Sequence, residues 1–102
     1  MTGQSANRPP LLDAVGKLCY QGKDIAAYLY QVPDDESQRS RLRTILDAIL
    51  QQAGRQHREL PRIAQELKAA LEQPPSLAQV GLLQDGVDRM VKLWQAARSG
   101  LF

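Results

Sequence analysis

Apolar residues recur at alternating spacings of three and four along most of this chain, and no other feature limits its fold so strongly. Leu11, Val15, Leu18, Gly22, Ile25 and Leu29 fall on one side of a helix, with Leu12, Cys19 and Ala26 widening the stripe. A second stripe holds Leu42, Ile45, Leu46, Ile49, Leu50 and Ala53. A third holds Leu60, Ile63, Ala64, Leu67, Ala70 and Leu71, and a fourth Val80, Leu83, Val87, Met90, Trp94 and Ala97. No segment alternates apolar and polar residues as a half-buried strand would. The chain therefore reads as all-α.

Prolines and glycines set the number of helices. Pro9-Pro10 suits a first turn, where backbone N–H groups have no intrahelical partner. Pro33 ends the first helix, and Asp34, Asp35 and Glu36 stand where the dipole of the next one favours negative charge. A further break falls between Gly54 and Pro61. Pro74-Pro75-Ser76 forms a linker with a serine N-cap, and Ser99-Gly100 closes the last helix. Short loops favour antiparallel neighbours, so the expected fold is an up-and-down antiparallel four-helix bundle over residues 9–100, after a loose polar tail at 1–8. The alternative is a three-helix bundle whose long middle helix kinks at Pro61. Gly16 and Gly22, each costing about 1 kcal/mol relative to alanine inside a helix, imply close approach of a neighbour or a local weak point.

Composition narrows the chemistry. One Cys and one His among 102 residues leave no intrachain disulfide, no four-ligand Cys/His zinc site and no iron–sulfur cluster. No cofactor or metal is expected. The formal net charge of +2 is too small to indicate nucleic-acid binding by itself. No apolar run approaches the roughly 18 residues of a membrane span, Met1–Pro10 has no hydrophobic signal core, and a lone cysteine suits a reducing compartment. Cytoplasmic localisation without membrane contact is the expectation.

The candidate reactive groups have structural explanations of their own. His57 alone titrates near neutrality, so acid–base or phosphoryl-accepting work would fall on it. A four-helix bundle with one exposed histidine resembles histidine phosphotransfer domains in architecture. Those domains carry their histidine inside a helix, in a His-x-Leu-Lys-Gly setting. Here Arg55-Gln56-His57-Arg58-Glu59-Leu60-Pro61 lies beside a helix break and lacks the Lys-Gly element. Cys19, at the edge of an apolar stripe, reads as a small core residue. Asp34, Asp35 and Glu36 are contiguous, without the alternation of a calcium loop, and read as a helix cap.

Surfaces are more informative. Tyr20 lies almost opposite the first apolar stripe, among Gly16, Asp24 and Ala27, while Tyr28 and Tyr30 flank that stripe. An outward aromatic among small residues is the composition of an interface anchor. Leu82, Gly86 and Leu93 form an extra apolar strip beside the fourth stripe, and Leu101-Phe102 adds two more large groups. Arg39, Arg41, Arg43, Arg55, Arg58 and Arg62 form a basic middle, of which Arg41 and Arg55, on a line that recurs every seven positions through Ala48, face outward. Exposed pairs such as Arg62 with Glu66, and Arg39 and Arg43 flanking the acidic turn, would neutralise part of it. The leading expectation is a non-enzymatic protein–protein interaction module, an adaptor, chaperone-like or regulatory subunit. Its partner, another protein or a second copy, would meet Tyr20, Tyr28, Tyr30, Arg41, Arg55, Leu82 and Leu93. A small basic subunit contacting RNA or DNA phosphates through Arg39–Arg62 is the second reading, and phosphotransfer through His57 the third.

Overall fold

The computed structural model describes residues 10–53 and 57–98, with residues 10–12 described through their backbone only. The tail at 1–8, Pro9, the side chains of Leu11 and Leu12, the cap at Gly54, the stop at Ser99-Gly100 and the Leu101-Phe102 pair lie outside the described residues. Four α-helices follow one another: α1 Pro10–Gln31, α2 Glu36–Ala53, α3 Glu59–Leu71 and α4 Leu77–Arg98. They form the expected antiparallel four-helix bundle. Each helix packs against two neighbours in the ring α1, α2, α3, α4, with no contact across either diagonal among the described residues. The kinked three-helix alternative is overturned. Pro61 is the third residue of α3, inside the first turn, where its missing N–H costs no helix bond, and the chain breaks before it.

Three of the helix starts are held by side chains. Asp35 Oδ1 accepts from the Gln38 amide at 3.1 Å, and Ser76 Oγ accepts from the Gln79 amide at 3.0 Å. His57 Nδ1 accepts from the amides of both Glu59 and Leu60, at 3.1 and 3.2 Å. Each satisfies N–H groups that the helix itself cannot. The core between the helices is closed to solvent and built almost wholly from aliphatic residues, with Met90 and Trp94 at its α4 edge. Leu18 and Leu50 are only partly buried against it; the first stripe is centred instead on Val15, Cys19, Ala26 and Leu29. No helix among the described residues is long and apolar enough to cross a membrane.

Two glycines let α4 approach its neighbours. A Cβ on Gly16 of α1 would stand 2.3 Å from the Trp94 indole, and one on Gly86 of α4 would stand 2.5 Å from Leu67 of α3. Gly81, by contrast, has nothing within 4 Å of such a Cβ. A buried indole ring cannot swing aside as a leucine tip can. Gly16→Ala is therefore expected to destabilise the fold by about 1–3 kcal/mol through overpacking, despite the gain in helix propensity. Gly81→Ala should stabilise it by up to about 1 kcal/mol. Urea denaturation of the two variants, with opposite shifts in midpoint, checks the pair.

Candidate functional site

The bundle end at which α1 turns into α2 and α3 into α4 is organised by one buried cation. Arg39, a member of the basic middle that the second reading offers to phosphates, is 3% exposed. Its Nη1 donates to Gln79 Oε1 at 2.5 Å, and its Nη2 donates to the carbonyls of Leu71 at 2.7 Å and Gln73 at 3.1 Å. Gln79, also buried, donates through Nε2 to the carbonyls of Ala70 at 2.5 Å and Gln73 at 2.8 Å. The last carbonyls of α3 thus receive donors from α2 and α4. A guanidinium at the negative end of a helix dipole is also favoured electrostatically. Among the described residues the carboxylate that pairs with it is Glu36, 3.7 Å from Nε and mostly in solvent.

This corrects the basic-cluster reading in particular places. Arg39 is unavailable to an external phosphate. Arg43 lies 3.7 Å from Glu72, and Arg62 pairs with Glu59, three residues before it, rather than with Glu66. That bond from Arg62 holds the Glu59 carboxyl below its ordinary range and raises the Arg62 guanidinium. Arg41 is exposed, with only a 3.4 Å contact to Gln38, and Arg55 lies outside the described residues.

Around the buried Arg39 the surface is apolar and acidic. Tyr28 is exposed and donates to Asp35 Oδ2 at 3.1 Å, which fastens the end of α1 to the cap of α2. The same bond, and then the nearby carboxylate charge, raises the phenol pKa. Tyr30 is 58% exposed, Val32 is exposed, and Leu77 at the start of α4 is 60% exposed. Sequence reasoning selected Tyr28 and Tyr30 but passed over Val32 and Leu77, which stand alone in loop-flanking positions.

Midway along α1, Tyr20 has a neighbour that a single helix wheel cannot show. Its ring meets Trp94 edge-on, with centroids 5.8 Å apart, and its hydroxyl accepts from Gln95 Nε2 at 2.8 Å. It is 41% exposed, so one side packs against α4 while the other faces solvent. Trp94 also carries Arg98 over its ring at 5.3 Å. Gly16, expected to surround an open tyrosine, lies buried beneath that indole.

The extra apolar strip on α4 divides in the structure. Gly86 is buried against Leu67 and Leu93 is half-buried against the core, so both belong to the bundle. Leu82, 62% exposed, lines a groove between α3 and α4 of about 540 Å3.

The two candidate reactive side chains are both engaged. Burial pushes the Cys19 thiol up to about 12, far from a useful thiolate fraction. His57, expected to be solvated, is half-buried and caps α3. Burial lowers its pKa, with Glu59 opposing the shift. No group of three metal-ligating side chains occurs among the described residues. No family model, curated protein or solved structure matches this chain.

Two predictions follow from these placements. Arg39→Ala should cost about 3–5 kcal/mol, because it empties a buried site and leaves Gln79 Oε1 and the Leu71 carbonyl without their donor, whereas exposed Arg41→Ala should stay within about 0.5 kcal/mol. Chemical denaturation of both variants measures the contrast. His57 Nδ1 can accept two amides only while it is unprotonated, and its folded-state pKa lies below the ordinary 6.5. The unfolded chain therefore binds the proton first, and stability falls as pH drops through about 6.5 toward the folded value. His57→Asn retains a cap acceptor without a titrating group, so its urea midpoint should lose that part of the pH dependence.

Proposed function

We propose that this chain is a non-enzymatic protein-interaction module, a small adaptor or regulatory subunit working in the cytoplasm. Its partner would seat on the bundle end shared by the α1–α2 and α3–α4 turns. One observation carries this reading. Of the six large apolar side chains exposed among the described residues, four, Tyr28, Tyr30, Val32 and Leu77, stand at that end. Exposed apolar groups that share one end of a bundle, with tyrosines among them, have the make-up of binding anchors.

The surrounding charge suggests the partner's chemistry. Asp34 and Asp35 lie in the first turn, Glu36 opens α2 and Glu72 follows α3, while Arg39 is buried beneath them. An apolar patch with an acidic collar suits a segment that brings apolar side chains flanked by Lys or Arg, since opposite rim charges speed encounter and fix orientation. The non-enzymatic part of the reading draws on the engagement of Cys19 in the core and His57 in a helix cap, which leaves neither set up as a nucleophile or proton carrier.

The test is affinity capture with the full chain against Tyr30→Glu and Leu77→Glu, with Gln51→Glu, exposed near the far end of α2, as the control on another face. A partner captured by the wild type and the control, but lost by both end variants at unchanged helicity, is the expected result. Equal capture by all four proteins would remove this end as the binding surface.

A further inference from the structure

The outward row of α4 serves neither the core nor the bundle end. Leu82, Asp85, Arg89 and Lys92 follow one another at spacings of three, four and three, so they form a single ridge, and all four line the groove between α3 and α4. All four are exposed. Among the described residues none of the three charged side chains is in an ion pair within 4 Å; Arg89 has only a longer-range attraction to Glu59. Asp85 and Arg89 stand four apart in the order that favours pairing along a helix, yet that pair is not closed. Both charged heads are available to something outside the chain.

The order of the ridge is complementary to itself. The midpoint between Leu82 and Lys92 and the midpoint between Asp85 and Arg89 both fall at Val87. A two-fold axis crossing α4 at that height turns the helix end for end, bringing Asp85 of each copy opposite Arg89 of the other. The same operation lays each Lys92 stem, four methylenes long, across the exposed Leu82 of its partner. Glu66 of α3 lines the groove beside this point. Its neighbour Leu67 abuts Gly86, so Glu66 sits near the height of Val87 and offers the incoming guanidinium a second carboxylate. In a parallel pairing Asp85 would face Asp85, and Arg89 would face Arg89.

The geometry points to an antiparallel homodimer formed through the α4 ridges, held by reciprocal Asp85–Arg89 ion pairs at the rim of the α3–α4 groove. Four ridge residues per copy fall well below the roughly 20–30 a side of a stable interface, so the association is weak and transient, with a dissociation constant on the order of 0.1–1 mM, and weakens with salt. The ridge is on a different face from the partner-binding end proposed above, so loss of either leaves the other standing.

Sedimentation velocity of the full chain, from about 10 μM to about 1 mM at low ionic strength, tests this directly. The wild type should shift from monomer to dimer over that range, and about 0.5 M NaCl should move the transition to higher concentration. Asp85→Arg places like charges face to face and should raise the dissociation constant at least about tenfold. Asp85→Arg combined with Arg89→Asp exchanges the two charges and should restore association to within about threefold of wild type. Asp85→Asn should give an intermediate loss. Circular dichroism shows whether each variant keeps its helices. A wild type that stays monomeric throughout, a dimer indifferent to Asp85→Arg, or a folded double variant that fails to recover would each overturn the proposal.

Discussion

The Arg39–Gln79 interaction is the constraint on which the closed end of the bundle depends. Two turns meet there, and one contains Pro74-Pro75, which contributes no N–H groups. The backbone amides of Glu72 and Gln73 reach only the Ala69 and Ala70 carbonyls, so the Leu71 and Gln73 carbonyls take their donors from side chains of other helices. A guanidinium supplies several donors in a rigid fork, and one amide side chain supplies both a donor and an acceptor, so two residues from two helices close the network. The serine cap on α4 is tied into the same arrangement. Ser76 accepts from the Gln79 backbone, but the Gln79 side chain turns away from Ser76 to the α3 carbonyls and to Arg39. The Ser-x-x-Gln spacing has the form of a capping box, and half of that box has been diverted to tertiary structure.

The surface outside this network follows from it. With Arg39 drawn inward, Glu36, near its Nε, stays mostly exposed, while Glu72 meets Arg43 and Asp35 accepts from Tyr28. The exposed tyrosines and Leu77 therefore stand on a backbone fixed from beneath by charged hydrogen bonds and from the side by the Tyr28–Asp35 bond. A surface held in this way loses little conformational entropy when a partner orders it.

The helices were legible because an apolar face must recur at the helical period wherever a helix is packed, and Leu, Ile, Val and Ala mark that period without ambiguity. The breaks were legible for a similar reason, since proline and glycine act on the backbone locally. Arg39 was misplaced because residue type outweighed phase. Arg39, Leu42, Leu46, Ile49 and Ala53 are spaced three, four, three and four, so the arginine stands on the buried line, as Gln79 does with Leu83, Gly86 and Met90. Phase alone would have put both polar residues inside and raised the question of their partners. Tyr20 shows the opposite case. Its own helix points it outward correctly, and only the register of α4, which no single wheel contains, brings Trp94 and Gln95 alongside.

That register is set by the smallest side chains in the molecule. Gly16 admits the Trp94 indole on the α1 side of α4, and Gly86 admits Leu67 on the α3 side, so α4 is gripped along both flanks near its middle and its C-terminal part. Contacts in which one more methyl would overlap a neighbour leave little room for sliding, because interiors are packed close to crystal density. The Lys23–Asp88 pair between α1 and α4 adds an exposed contact at 3.5 Å, of small energetic weight, in the same region. A helix fixed on two sides presents its third side with fixed spacing. The distances between Leu82, Asp85, Arg89 and Lys92 along α4 are therefore properties of the fold, and any surface that reads them meets a preorganised row of charges.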